Sequence, residues 1–361
     1  MCCDLSTIDF YIIYVKERNT PRMRTSWLSS SSAKWIGCIV GIFVLLGCVW
    51  ASIVYGVFDT KLHHVWEALT DYQHYATSNE HIVIREVRIP RALIAAAVGA
   101  SLGISGVVLQ SLTKNPLADA GIFGINASSS LFVVIGFIFF QLNSLQSFTW
   151  LALAGACAGC LFVFLLGSSG GRHIHPIRMT LAGSAIAALS GSLTNGLLIS
   201  NHRAMEEVLF WIAGSVEGRK LEVLLDVLPY MAVAWIGAWV LAKPMDTLNL
   251  GDDVAVSLGL KVAYIKWGMG LLIVMLAGSS VAVAGPIGFL GLVVPHIARS
   301  LVGIGMRWLV VYSGLLGAIV LLLADIGARF IAEPKEIPIG VMTAIIGVPF
   351  FVYAARKGVR G

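Results

Sequence analysis

Runs without Asp, Glu, Lys or Arg divide the chain into apolar blocks joined by short polar stretches. Trp35–Phe58 is such a run of 24 residues, Ala92–Thr113 of 22 and Met179–His202 of 24. Ala120–Gly171 extends for 52 residues with a polar patch at 141–147, so it reads as two passes. Val227–Ala242, Trp308–Ala324 and Ile337–Ala355 give 16, 17 and 19, and Trp267–Ala298 gives 32, broken at Gly285-Pro286-Ile287-Gly288. A helix needs roughly 20 apolar residues to cross ~30 Å of hydrocarbon. The pattern predicts ten spans, near 35–57, 90–113, 120–140, 148–167, 178–200, 227–243, 264–284, 287–302, 308–328 and 338–355. The runs lack the strict alternation of barrel strands. The expected fold class is therefore an all-α polytopic membrane protein.

Composition agrees. Of 361 residues, 57% are hydrophobic and 12% charged, against about 25% charged in soluble domains. This excludes a soluble globular domain, a disordered chain and a disulfide scaffold. The 38 glycines suit close helix packing in lipid. The first run is too long for the h-region of a cleaved leader, and no small-x-small site precedes Asp59. Residues 1–34 form a polar arm with five basic residues and a Ser29–Ser32 tract, and Met23 is a candidate start.

Ten spans put both termini on one side. With the termini inside, 16 of the 25 Lys and Arg residues fall on the inner side, and 13 of the 20 acids fall outside. That bias follows the positive-inside rule, so the net charge of +5 reads as topology and not as nucleic-acid binding. The expected location is a cell membrane, with cytoplasmic termini.

Several kinds of chemistry are missing. No Gly-Lys-Ser/Thr occurs, so the chain has no phosphate-cradling loop, and ATP-driven transport would need another chain to hydrolyse the nucleotide. Asp119, Asp325 and His296 lie near span ends and none sits at a midplane, which disfavours an ion-coupled carrier with a buried relay. Cys157-Ala-Gly-Cys160 has CxxC spelling without a second pair and reads as small buried residues. His63, His64, His74 and His81 read as scattered loop histidines, and no metal site is assigned. Gly103-Ile104-Ser105-Gly106 spells the GxSG of rhomboid proteases, but a serine nucleophile needs a base within reach, the one His in or beside a span core is His296 close to the inner surface, and small residues at Gly99, Gly103 and Gly106 fit helix packing better. The chain is read as non-catalytic.

Five motifs remain, in this order: Arg88-Ile89-Pro90-Arg91; Gln110 with Asn115-Pro116-Leu117-Ala118; Leu250-Gly251-Asp252-Asp253-Val254-Ala255-Val256-Ser257-Leu258-Gly259; Gly285-Pro286-Ile287-Gly288-Phe289-Leu290-Gly291 leading to Pro295-His296 and Arg299; and Glu336-Ile337-Pro338-Ile339-Gly340 with Gly347-Val348-Pro349-Phe350-Phe351. Pro116 stops a helix and biases Asn115 away from the helical region. Two acids at the start and a Gly at the end of 251–259 mark a short helix.

With these motifs, residues 35–357 resemble the FecCD-type permeases of bacterial ABC importers, which carry iron–siderophore, haem and cobalamin cargo. The resemblance implies the type II importer architecture: ten spans per subunit, a second permease subunit, two cytosolic ATPases and an extracytoplasmic binding protein. It implies that Arg88, Arg91 and Arg329 receive acids of the binding protein on the outer face; for Arg329, four residues after Asp325, a local i,i+4 pair is the other reading. It implies that the cytoplasmic segment 248–260 is the coupling helix, with Gly251, Asp252, Asp253, Val254, Ala255, Val256, Leu258 and Gly259 meeting the ATPase. It implies that spans five and ten line the path, with Ser184, Ser190, Thr194 and Asn195 as small uncharged lining groups; plain helix packing is the alternative. His296 and Arg299 read as structural or close to the ATPase. No cofactor is expected on this chain, ATP being used by the partner. The function expected is the permease of an importer, for ferric siderophores first, with an ion-coupled secondary transporter as the competing class.

Overall fold

The computed structural model describes residues 27–28, 30–55, 82–121, 123–168, 176–331 and 336–358. Every regular element among them is helical. Ten are apolar: α1 (Ser31–Val54), α2 (Ile84–Thr113), α3 (Ile125–Phe140), α4 (Leu145–Ser168), α5 (Pro176–Ser200), α7 (Leu221–Asn249), α9 (Val262–Ala284), α10 (Leu290–Val302), α11 (Met306–Ile331) and α12 (Ile339–Gly358). Seven of these, all but α3, α10 and α12, are long and apolar enough to cross a bilayer. Two short helices complete the set, α6 (His202–Ile212) and α8 (Asp252–Ser257).

Each predicted span has its helix, and the boundaries moved for physical reasons. Span six was expected at 227–243, but α7 covers 29 residues and contains Pro229 and Pro244. Glu222, Asp226, Lys243 and Asp246 lie near its two ends, so a charge-free criterion trims a helix whose charged turns sit beyond the hydrocarbon. Span eight starts at Leu290, because Gly285 at φ 73° and Pro286 break the chain first. The sequence reading did not include α6. Asn201 caps it by accepting from the Ala204 N–H at 3.0 Å, and Ala204, Val208 and Trp211 form its buried stripe at i, i+4 and i+7.

The bundle is organised around α2, which packs on α11, α10, α7, α9 and α1. Small residues permit this. A Cβ added to Gly99 would collide with the Gly317 carbonyl, and one on Gly317 with the Gly99 carbonyl. The two backbones touch with no side chain between them, as glycine allows in lipid, where packing drives association. Gly317→Val must part α2 from α11. It is expected to cost about 1–3 kcal/mol, read as a lower melting temperature in detergent with the helix content of the folded state unchanged.

Candidate functional site

The α2 helix has two functional ends, about 36 Å apart at 1.5 Å per residue. The first carries Arg88 and Arg91. Arg91 is 6% exposed; its Nε donates to Asp325 on α11 at 2.9 Å and its Nη1 to Glu336 at 2.6 Å. Arg329 lies one turn after Asp325 and is ion-paired with it, while its Nη1 donates to the carbonyls of Ser52 at 2.7 Å and Tyr55 at 2.8 Å. Arg88 Nη1 donates to the carbonyls of Ile53 at 3.0 Å and Val54 at 2.8 Å. Two guanidiniums thus satisfy the last carbonyls of α1, where a helix dipole favours cations. The cluster unites three separate stretches of sequence, the Arg88–Arg91 motif, Asp325 with Arg329, and Glu336.

This geometry differs from outward-facing docking cations. Arg88, Arg91 and Arg329 are 4%, 6% and 2% exposed, and each donates hydrogen bonds within the chain. The i,i+4 reading of Arg329 is realised as one part of a larger network. Beside it, the connection 213–220 holds Glu217 and Arg219. Burial pushes the Glu217 carboxyl above the ordinary range; the nearby Glu336 and Asp325 add to this, and Arg91 opposes it. Burial brings Arg219 down to about 10.

The other end of α2 carries Lys114, which pairs with Asp252 at 2.9 Å; the same carboxylate pairs with Lys266 on α9. Burial pushes Asp252 up, but hydrogen bonds and attraction from Lys266 and Lys114 outweigh it and hold the group below the usual carboxylate range. A lowered native pKa means that this tie is complete above the ordinary carboxylate pKa and is lost as pH falls through the native value. It ties α8 to α2 and α9. Val254, Val256 and Leu258 are exposed, as is the preceding Leu250. Gly251 at φ 128° and Gly259 at φ 82° bound the helix in conformations that favour glycine. Ala255 corrects the expected contact set: it is fully buried against the bundle and faces away from any outside partner. Asp252→Asn is expected to speed amide exchange across Val254–Leu258 about fivefold, measured by hydrogen exchange at neutral pH.

Between the ends, two further motifs meet. The Asp119 carboxylate accepts the N–H of Phe289, the residue just before α10, at 3.3 Å, and the N–H groups of Ala120, Gly121 and Gly291 also face it. Gln110 Nε2 donates to the Gly291 carbonyl at 3.0 Å. A buried acid therefore caps α10, and this join was not read from the sequence. Phe289 holds φ 67°, and a Cβ on Gly347 of α12 would collide with its side chain.

The four expected path residues separate. Ser190 and Thr194 are buried, and the Thr194 hydroxyl donates to the Ser190 carbonyl one turn earlier at 2.8 Å. Ser184 and Asn195 lie on the exposed side of α5. The His296 ring packs edge-on against Phe350 at 5.2 Å. Cys157 is exposed and Cys160 is buried. His63, His64, His74 and His81, with residues 1–26, lie outside the described residues.

Comparison with known proteins decides the family. The FecCD transport family matches residues 44–357. The chain belongs to the FecCD transport family. Among relatives of this FecCD chain is YfiZ of Bacillus subtilis (strain 168), described as a probable siderophore transport system permease protein. It is 48% identical over 330 residues, covering 91% of this chain and 98% of the relative. The Escherichia coli (strain K12) ferric enterobactin transport system permease protein FepD is 40% identical over 280 residues, covering 77% and 83%. A solved structure described as an inward-facing conformation of a metal-chelate type ABC transporter matches with a TM-score of 0.77 at 28% identity, covering 89% of this chain and 98% of that one. This FecCD chain is thus a multi-pass membrane permease of the ABC importer class.

Proposed function

We propose that the chain is the permease subunit of an importer for ferric siderophores, moving cargo by alternating access while a separate ATPase hydrolyses ATP. The observation that carries the reading is α8: a six-residue helix with apolar side chains turned outward, tied by Asp252 to two cations of the bundle. Exposed Leu and Val on a braced lever fit a groove on a partner better than they fit water. Relatives named for siderophores and ferric enterobactin support iron chelates as cargo. In this reading α8 faces the cytoplasm with both termini, and the Arg91 end faces outward. A second permease subunit, two ATPases and an extracytoplasmic binding protein complete the assembly. The exposed flank of α5, with Ser184 and Asn195, and that of α12 face the second subunit and the path.

The outer arginines act in this scheme by positioning. They bind the ends of α1, α2 and α11 to the segment beginning at Glu336, and so fix the rim on which a binding protein rests. The test is reconstitution in vesicles with ATPase and binding protein and measurement of ferric siderophore uptake. Uptake that requires ATP is the expected result. Uphill transport by this chain alone, driven by an ion gradient, would establish the secondary-transporter class instead.

A further inference from the structure

At the end of the bundle that carries α8, two cations stand beside an exposed tryptophan. The Arg307 guanidinium, on the first turn of α11, lies 5.2 Å from the centre of the Trp239 ring of α7. Lys243 follows Trp239 by one helical turn, so the two share a flank of α7. Both basic side chains are exposed, and neither forms an ion pair among the described residues. Asp246, three residues after Lys243, accepts the N–H of Met306 at 3.0 Å and so meets the positive end of α11. The corner therefore carries an excess of positive charge, with one guanidinium held over an aromatic face.

Next to the charges opens an apolar hollow of about 310 Å³, lined by Ile104, Trp235, Ile236, Trp239, Val310 and Val311. Val311 is one turn inward from Arg307, and Trp235 is one turn inward from Trp239. The hollow thus runs from the cations towards the middle of the bilayer between α7 and α11, with Ile104 of α2 behind it. Its walls are fixed. The Trp235 indole N–H donates to the Ser101 hydroxyl at 2.9 Å, and Val310 is buried in the bundle. All the lining residues and both cations belong to the described helices α2, α7 and α11.

The charge selects the occupant. A water-soluble partner does not enter a hollow between two apolar spans. A packed helix would cover the cations and leave them desolvated without an acid to meet them. A zwitterionic headgroup brings a further ammonium into the positive excess. A phosphodiester of net negative charge fits: the guanidinium offers paired donors to two phosphate oxygens, and the ammonium adds a point charge. Indole rings are at home at the membrane–water interface, and basic pockets between spans suit anionic headgroups. We infer that this corner is a specific site for one anionic phospholipid, phosphatidylglycerol in class, its phosphate between Arg307 and Lys243 and the start of an acyl chain in the hollow. The site follows from the membrane fold and is independent of the cargo carried.

Native mass spectrometry of the full chain in detergent tests this, with palmitoyl-oleoyl phosphatidylglycerol and palmitoyl-oleoyl phosphatidylethanolamine as probes. One phosphatidylglycerol per chain should survive conditions that strip other lipid, bound about tenfold more tightly than phosphatidylethanolamine. Arg307→Gln with Lys243→Gln should remove that preference, and both positions are exposed, so the melting temperature in lipid-free detergent should hold. Lys261→Gln takes an exposed cation from the start of α9 and should leave retention unchanged. Val311→Phe should fill the hollow and weaken retention with both cations in place; if that variant does not fold, the exposed pair decides. Equal retention of the two lipids by the unaltered chain overturns the site, as does retention untouched in the Arg307 and Lys243 variant. An equal loss in the Lys261 variant overturns it in favour of general surface charge. Displacement of the lipid by excess inorganic phosphate would make the corner a free-anion site, and a change of oligomeric state with the loss of lipid would make it a protein interface; either result also overturns the inference.

Discussion

Asp325→Ala is expected to abolish most of the folded protein. It leaves Arg91 and Arg329 buried, one with Glu336 alone and the other with two carbonyls and the Ser52 hydroxyl. Removing one partner from a buried ion network costs about 3–5 kcal/mol, because the charge left behind remains desolvated. That is a large share of the ~5–15 kcal/mol that holds a typical fold. The measurement is the yield and melting temperature of the detergent-purified variant. Arg91→Ala should fall in the same way, since Asp325 and Glu336 then face each other with one cation fewer. If either variant folds normally and loses only the stimulation of ATP hydrolysis by a binding protein, these side chains act in docking and the positioning role is wrong.

The second large effect concerns α8, where neighbouring residues should fail differently. Val256→Asp with Leu258→Asp places two carboxylates on exposed positions, so the bundle should fold with its melting temperature unchanged. Co-purification with the ATPase should drop at least tenfold, because a charge facing an apolar groove is buried without a partner. Ala255→Asp forces a carboxylate into a fully buried site and should instead destabilise the permease itself by about 3 kcal/mol or more. Full retention of the ATPase by the Val256 and Leu258 variant would remove α8 from the interface. Substitutions at three residues within four positions thus separate the outward face of the lever from its root.

The spans were legible because hydrocarbon imposes its own length on an apolar run, and the ten expected spans return as ten helices. What escaped was pairing. Arg91 and Glu336 stand 245 residues apart, and no periodicity joins them. Asp119 and Phe289 meet across 170 residues. The sequence marks each of these stretches as unusual by its prolines and glycines, but the partner of a buried charge is set by tertiary packing. Facing was also hidden. On so short a helix as α8 the apolar residues Val254, Ala255 and Val256 are consecutive, so no stripe tells which one turns inward. The same holds on α5, where Ser184, Ser190, Thr194 and Asn195 share a composition and differ only in the side of the helix they occupy. The amphipathic α6 has its own stripe and a capping Asn, and both signals were present in the sequence.

The backbone contact between Gly99 and Gly317 has a mechanical consequence. Two rods pressed together without intervening side chains have no rotamers to exchange and no slack to slide through. They must travel as one stave, carrying α1 with them through the cations that grip its last turn. Any rocking that opens the passage to one side and then the other therefore falls to the helices outside this stave, among them α5, with most of its surface uncovered within this chain.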